Sequence, residues 1–145
     1  MNAVLVDTDV FSYFLKDDTR AALYRGLVEG KTPCVSFVTI GELYSWAILR
    51  EWGKKKTATL SDRLRSVVVI PFDFPLCMEY AKLCRIKTLD GGTQSIPAND
   101  RWIAACALRH GIPLVTGNVR HFRAVPGLDI LEPAPSSPSD VRLPL

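Results

Sequence analysis

The chain has 145 residues, of which 48% are apolar and 23% charged, and its net charge is +3. That balance excludes an unfolded, self-repelling polyelectrolyte, and the length suffices for one domain with its own core. The mild basicity permits a polyanionic partner without demanding one.

Ala3-Val4-Leu5-Val6 is a continuous apolar run too short for a helix and reads as a buried strand. A short helix is predicted over 10–15, and a second from about 19, closed by Gly30. A strand follows over 33–37, then a long helix over 39–52 stopped by Gly53. Lys54-Lys55-Lys56 reads as a solvated turn before an amphipathic helix over 57–66. Val67-Val68-Val69-Ile70, apolar throughout and halted by Pro71, is the cleanest strand signal. Helices are predicted over 75–87 and 98–110, separated by a loop at Asp90-Gly91-Gly92-Thr93, with Gly111 as the second helix's stop. Short strands at 114–116 and 128–131 complete the chain, and the segment from Glu132 on carries four prolines in fourteen residues, as expected of an extended or disordered tail. Strands alternating with helices imply an α/β domain over 1–131, built on a parallel sheet with helices on both faces and a ligand site beyond the strands' carboxyl ends.

Cys34, Cys77, Cys84 and Cys106 form no CxxC pair, and with only His110 and His121 beside them a zinc site is not indicated; reduced, buried thiols are the simpler account. No apolar stretch is long enough to cross a membrane, and the first apolar run lacks a basic leader, so a cytoplasmic protein is expected.

Chemistry is signalled by carboxylates at element ends. Asp7 follows the first strand directly, where it has no helix cap of its own to serve, whereas Asp9 would cap the first helix. Glu42 completes Thr39-Ile40-Gly41-Glu42, a capping-box pattern that explains it without chemistry. Asp100 stands at a helix start, where the helix dipole favours an acid. The rival view draws the three together around a divalent cation, since hard cations want carboxylate oxygens and clustered acids repel without one.

Four segments in order carry a resemblance: Leu5-Val6-Asp7-Thr8-Asp9-Val10, Ser36-Phe37-Val38-Thr39-Ile40-Gly41-Glu42-Leu43, Asn99-Asp100-Arg101-Trp102-Ile103-Ala104-Ala105, and Leu114-Val115-Thr116-Gly117-Asn118-Val119-Arg120-His121-Phe122. In these the chain resembles the PIN domains, and among them the VapC-type ribonuclease toxins of toxin–antitoxin pairs. The resemblance implies a three-layer α/β/α sandwich around a central, mostly parallel twisted sheet. It implies hydrolysis of RNA, tRNA among the candidates, by a metal-activated water, with Asp7 and Asp100 holding Mg²⁺ or Mn²⁺ and Glu42 completing the shell or acting as base. Thr8, Asp9, Thr116, Asn118 and His121 take supporting positions. Asp9 stands where the family often has Asn or Ser, and Asn118 and His121 stand where relatives frequently carry a further acid, which favours one ion over two. Arg101, Arg120 and Arg123 are the candidate RNA contacts. Tyr13, Trp46 and Trp102 have helical spacing that suits packing better than base stacking. A VapB-like antitoxin, a homodimer, and promoter DNA reached only through the antitoxin are the implied partners. Two alternatives stay open: a non-catalytic PIN-like binding module, and a phosphatase of the haloacid dehalogenase type with Asp7 as nucleophile.

Overall fold

The computed structural model describes residues 2–87 and 94–134. The expected loop at 90–93 and most of the Pro-rich tail lie outside them.

Five strands, β1 (Ala3–Val6), β2 (Thr32–Ser36), β3 (Val68–Ile70), β4 (Leu114–Val115) and β5 (Ile130–Leu131), form one parallel sheet in the order β3-β2-β1-β4-β5. Leu5 aligns with Cys34 on one side and Leu114 on the other, so β1 is central and pairs along both edges. Period-two alternation assigns its side chains to opposite faces. Val4 and Val6 pack with Val35 and Val115 under α1 (Thr8–Leu15), α2 (Ala21–Val28), α3 (Phe37–Leu49) and α4 (Lys54–Arg65). Ala3 and Leu5 pack with Cys34 and Leu114 under α5 (Phe74–Lys82) and α6 (Ala98–His110), joined by Phe122 of the short α7 (Val119–Phe122). The result is a three-layer α/β/α sandwich, as the resemblance implied.

Some boundaries differ from the sequence reading, each for a local reason. The lysine triplet is not a turn: α4 starts at Lys54 with Gly53 as its extended N-cap, and Lys56 Nζ lies 4.1 Å from the centre of the Trp52 ring. The strand predicted to 37 ends at Ser36, whose hydroxyl accepts from the Thr39 backbone N–H and starts α3. The helix predicted to 87 ends at Lys82 and passes into a 3-10 turn at Leu83–Arg85. α7 was not foreseen. Gly111 closes α6 in the left-handed conformation (φ 62°), as its position in the sequence suggested.

Candidate active site

β1 and β2 stop side by side, and the site begins with Asp7, the first residue after β1, and Ser36, the last residue of β2. Asp7 is the N-cap of α1: Oδ1 accepts from the Val10 N–H at 2.9 Å. This corrects the expectation that Asp7 has no cap to serve and that Asp9 caps the helix. The Asp7 backbone N–H donates to the Val115 carbonyl at 3.0 Å, which brings the end of β4 alongside. The Thr116 hydroxyl donates to Asp7 Oδ2, and itself accepts from the Asn118 N–H at 3.0 Å. A Cβ at the intervening Gly117 would stand 2.9 Å from the Tyr24 hydroxyl oxygen, so the tip of that side chain would have to shift.

Glu42 is not part of a capping box, since Ser36 caps α3 and Glu42 lies beyond the first turn. Its Oε1 instead accepts from the Thr8 hydroxyl at 2.7 Å. An ionised carboxylate only accepts, so the Thr8 proton points at Glu42 and the Thr39 hydroxyl, 2.9 Å away, donates to Thr8. Ser36 extends this line at 3.4 Å from Thr39. Asp7, Thr8, Ser36, Thr39 and Thr116 are all buried, a polar floor beneath the site. The sequence reading gave Ser36 and Thr39 no part in it; hydroxyls just past the apolar run of β2 were the available signal.

Asp100 lies in the first turn of α6, and the dipole accounts for its place but not for its contact. Its Oδ2 meets His121 Nδ1 at 2.6 Å. Asp9 Oδ2 accepts from the Asn118 side-chain amide at 3.1 Å.

Asp7, Thr8, Asp9, Glu42, Asp100, Ile103 and Asn118 line one pocket of about 230 Å³. Three acids remote in sequence therefore meet, with Asp9 as a fourth, and no Lys or Arg is in the lining. The electrostatic consequence appears at Asp7. Burial raises its pKa to about 6, the Thr116 and Val10 hydrogen bonds oppose that, and the charges of Asp9 and Asp100 add to it. Burial likewise raises Asp100, with His121 opposing. Four carboxylates facing one another suit a hard divalent cation. Among the described residues no three His, Cys, Asp or Glu side chains form a ready-made ligand set, so the fit is to an ion held by one or two carboxylates with water completing its shell, the habit of Mg²⁺.

Beyond Asn118 a polar cleft of about 950 Å³ is lined by Gln94, Ser95, Pro97, Gly117, Asn118, Val119, Arg120, His121 and Glu132. Arg123, exposed one turn on, pairs with Glu132 at 3.7 Å. Arg101 turns the other way: its guanidinium donates to the Tyr80 hydroxyl (3.1 Å) and the Ile96 carbonyl (3.0 Å), while its Nε is buried without a hydrogen bond. That commits Arg101 to the α5–α6 packing rather than to an exposed border. Trp102 stacks on Tyr80 at 3.8 Å, and Tyr13 lies 6.0 Å from Tyr24, so these rings pack as their spacing suggested. Trp46 packs against the core and has Arg50 5.1 Å above its ring.

A family model described as PIN domain matches residues 4–128. Ribonuclease VapC2 of Haemophilus influenzae is 27% identical over 121 residues, 83% of this chain and 90% of that protein. Among solved structures, VapBC-1 from nontypeable Haemophilus influenzae superposes with a TM-score of 0.75 at 25% identity, over 90% of this chain and 97% of that one. VapBC2 from Rickettsia felis, bound to a DNA fragment from its promoter, gives 0.74 at 21% identity, over 89% and 97%.

Proposed function

Because this chain belongs to the PIN domain family, we propose that it is a metal-dependent endoribonuclease and the toxin of a toxin–antitoxin pair, acting in the cytoplasm. The observation that carries the reading is the meeting of Asp7, Asp9, Glu42 and Asp100 in one pocket with no cationic side chain in its lining. Asp7 and Asp100 would hold Mg²⁺ or Mn²⁺, with Asp9 and Glu42 reaching it through water. When bound, such an ion polarises a phosphate oxygen and lowers the pKa of a coordinated water.

The chain's own residues do the remaining work. Thr116 and the α1 N-terminus fix both oxygens of Asp7, so its carboxylate is aimed before substrate arrives. His121 does the same for Asp100. Thr8 holds one oxygen of Glu42 and leaves the other to take a proton from the attacking water. Asn118 ties Asp9 to the turn that opens the polar cleft, where Arg120 brings positive charge to the backbone of the RNA, with Arg123 one turn further. With Asn118 and His121 where a further acid would stand, one ion is favoured over two. A phosphatase reading leaves Glu42 and Asp100, which share the pocket with Asp7, without a task.

The relatives named VapBC, one of them bound to a DNA fragment from its promoter, support a VapB-like antitoxin as the partner; promoter DNA engaged only through that antitoxin, and a homodimer, are what the resemblance implies. The test is cleavage of total RNA, tRNA included, by antitoxin-free protein in Mg²⁺, Mn²⁺ or EDTA, beside Asp7→Asn. Discrete fragments that need the metal and vanish in the variant support the reading. Fragments that persist equally in the variant overturn the site, and RNA bound but never cut makes the protein a non-catalytic binding module.

A further inference from the structure

A further depression, shallow and open to solvent, lies beside Glu42. It measures about 730 Å³ and is lined by Phe37, Val38, Gly41, Glu42, Ser45, Asn99 and Trp102. Glu42 lines this cleft and the acidic pocket alike, so the two adjoin at that side chain. Its wall is a fixed aromatic surface: the Trp102 indole is stacked on Tyr80 at 3.8 Å and braced edge-on by Phe37 at 5.7 Å. Asn99 is exposed at its rim and its amide, both donor and acceptor, makes no hydrogen bond within the described residues.

Gly41 is the telling residue. It lies inside α3, where glycine costs about 1 kcal/mol relative to alanine. Neither backbone nor packing asks for it: its conformation is helical, and a Cβ built there meets nothing within 4 Å. A side chain at 41, an exposed position, would extend into the open space of this cleft, one residue from Glu42.

We infer that the cleft over Gly41 and Trp102 is a nucleobase subsite, holding an unpaired base next to the scissile phosphate, with the Asn99 amide reading the base edge. The inference rests on the ribonuclease reading, because a cleft that adjoins the acidic pocket at Glu42 lies where a base neighbouring the bound phosphate would fall. A base has a π-face for the indole and edge groups for an amide, and stacking on a preformed ring tolerates all four bases while one amide discriminates among them.

The test uses Gly41→Leu, a change that favours the helix and fills the cleft, leaving the carboxylates in place. Short unpaired RNAs carrying one abasic residue, walked across the cut, are cleaved by wild type and variant in Mn²⁺, and Mn²⁺ binding is titrated separately. In the wild type, one abasic position slows cutting by about tenfold. Gly41→Leu cuts the intact RNA that slowly, is indifferent to the base at that one position, and binds Mn²⁺ as the wild type does. Asn99→Ala keeps the abasic penalty and flattens preference among bases there. Normal cutting by Gly41→Leu, or slow cutting with the abasic penalty intact, overturns the subsite. If the wild type cuts no RNA at all, the ribonuclease reading fails by itself. Fluorescence anisotropy with the same RNAs then decides the subsite: a base-dependent loss of affinity in Gly41→Leu retains it, and equal affinity overturns it.

Discussion

Asp7 and Asp73 do the same local work with opposite electrostatics. Each follows a strand of the sheet and caps the next helix, Asp7 accepting from Val10 N–H at 2.9 Å and Asp73 from Leu76 N–H at 2.8 Å. Asp73 is partly exposed and meets the Arg109 guanidinium at 3.0 Å, and those bonds hold its pKa below the usual carboxylate range. Asp7 is 4% exposed, faces Asp9 and Asp100, and is pushed up to about 6. Where this fold needs only a cap, it supplies a cation and solvent. Burying a capping carboxylate among other carboxylates costs stability that capping cannot explain, and that surplus is the mark of a site.

The sharpest way to break the contrast is in cleavage. Asp7→Asn is expected to lower metal-dependent cutting by on the order of a hundredfold or more, whereas Asp73→Asn leaves the rate within about twofold, both read from initial rates on one RNA. Equal losses would mean that Asp7 is merely structural. Next in size, His121→Ala removes the partner of Asp100 and should weaken Mn²⁺ binding by about tenfold, measured by calorimetry, with little change in Tm of the metal-free protein. An unchanged Mn²⁺ affinity would detach His121 from the site.

The third test is the pH dependence of stability without metal. Asp7 has a folded pKa of about 6 against 3.8 unfolded, so the folded state binds the extra proton between those values. Its contribution is therefore fully present below about pH 4 and is lost as pH rises through 6, a span on the order of 3 kcal/mol. Asp7→Asn should accordingly raise Tm at pH 8 in EDTA, and the gain should disappear by pH 4. Asp73 slopes the other way: its pKa is lowered, so its contribution is present above the unfolded value and is lost as pH falls through the folded one. The smallest effect is expected from Arg109→Ala, a modest fall in Tm at neutral pH that shrinks on acidification, with cutting untouched. A Tm gain for Asp7→Asn that did not depend on pH would remove charge burial from the explanation.

Much of this architecture was legible because the strands are short, apolar and bounded by polar residues, while α6 has both a clear start and the Gly111 stop. The acids were legible by their places in the chain: Asp7 directly follows an apolar strand and Asp100 opens an apolar helix, whereas Glu42 lies inside α3. What failed were the assignments that depend on where a helix begins. Thr8 rather than Val10 opens α1, which makes Asp7 the cap, and Phe37 rather than Thr39 opens α3, which makes Ser36 the cap and releases Glu42 from its capping box. Both starts are set by strands stopping at the sheet edge, a tertiary matter that a local pattern does not contain. The Lys54–Lys56 triplet misled because like charges at a helix start oppose the dipole, and one of its compensations, the Trp52 ring beneath Lys56, comes from the residue just before the Gly53 cap. Arg101 misled because neighbouring residues on a helix point apart: Asp100 faces the pocket and Arg101 faces Tyr80.

The Thr116 hydroxyl that fixes Asp7 lies 109 residues further along the chain. A chain growing from its N-terminus thus carries its first acid long before the strand that aims it, and α6 with Asp100 also arrives late. A chain made only as far as α6 therefore lacks the hydroxyl that aims Asp7, and the acidic centre is complete only once the segment past β4 has docked.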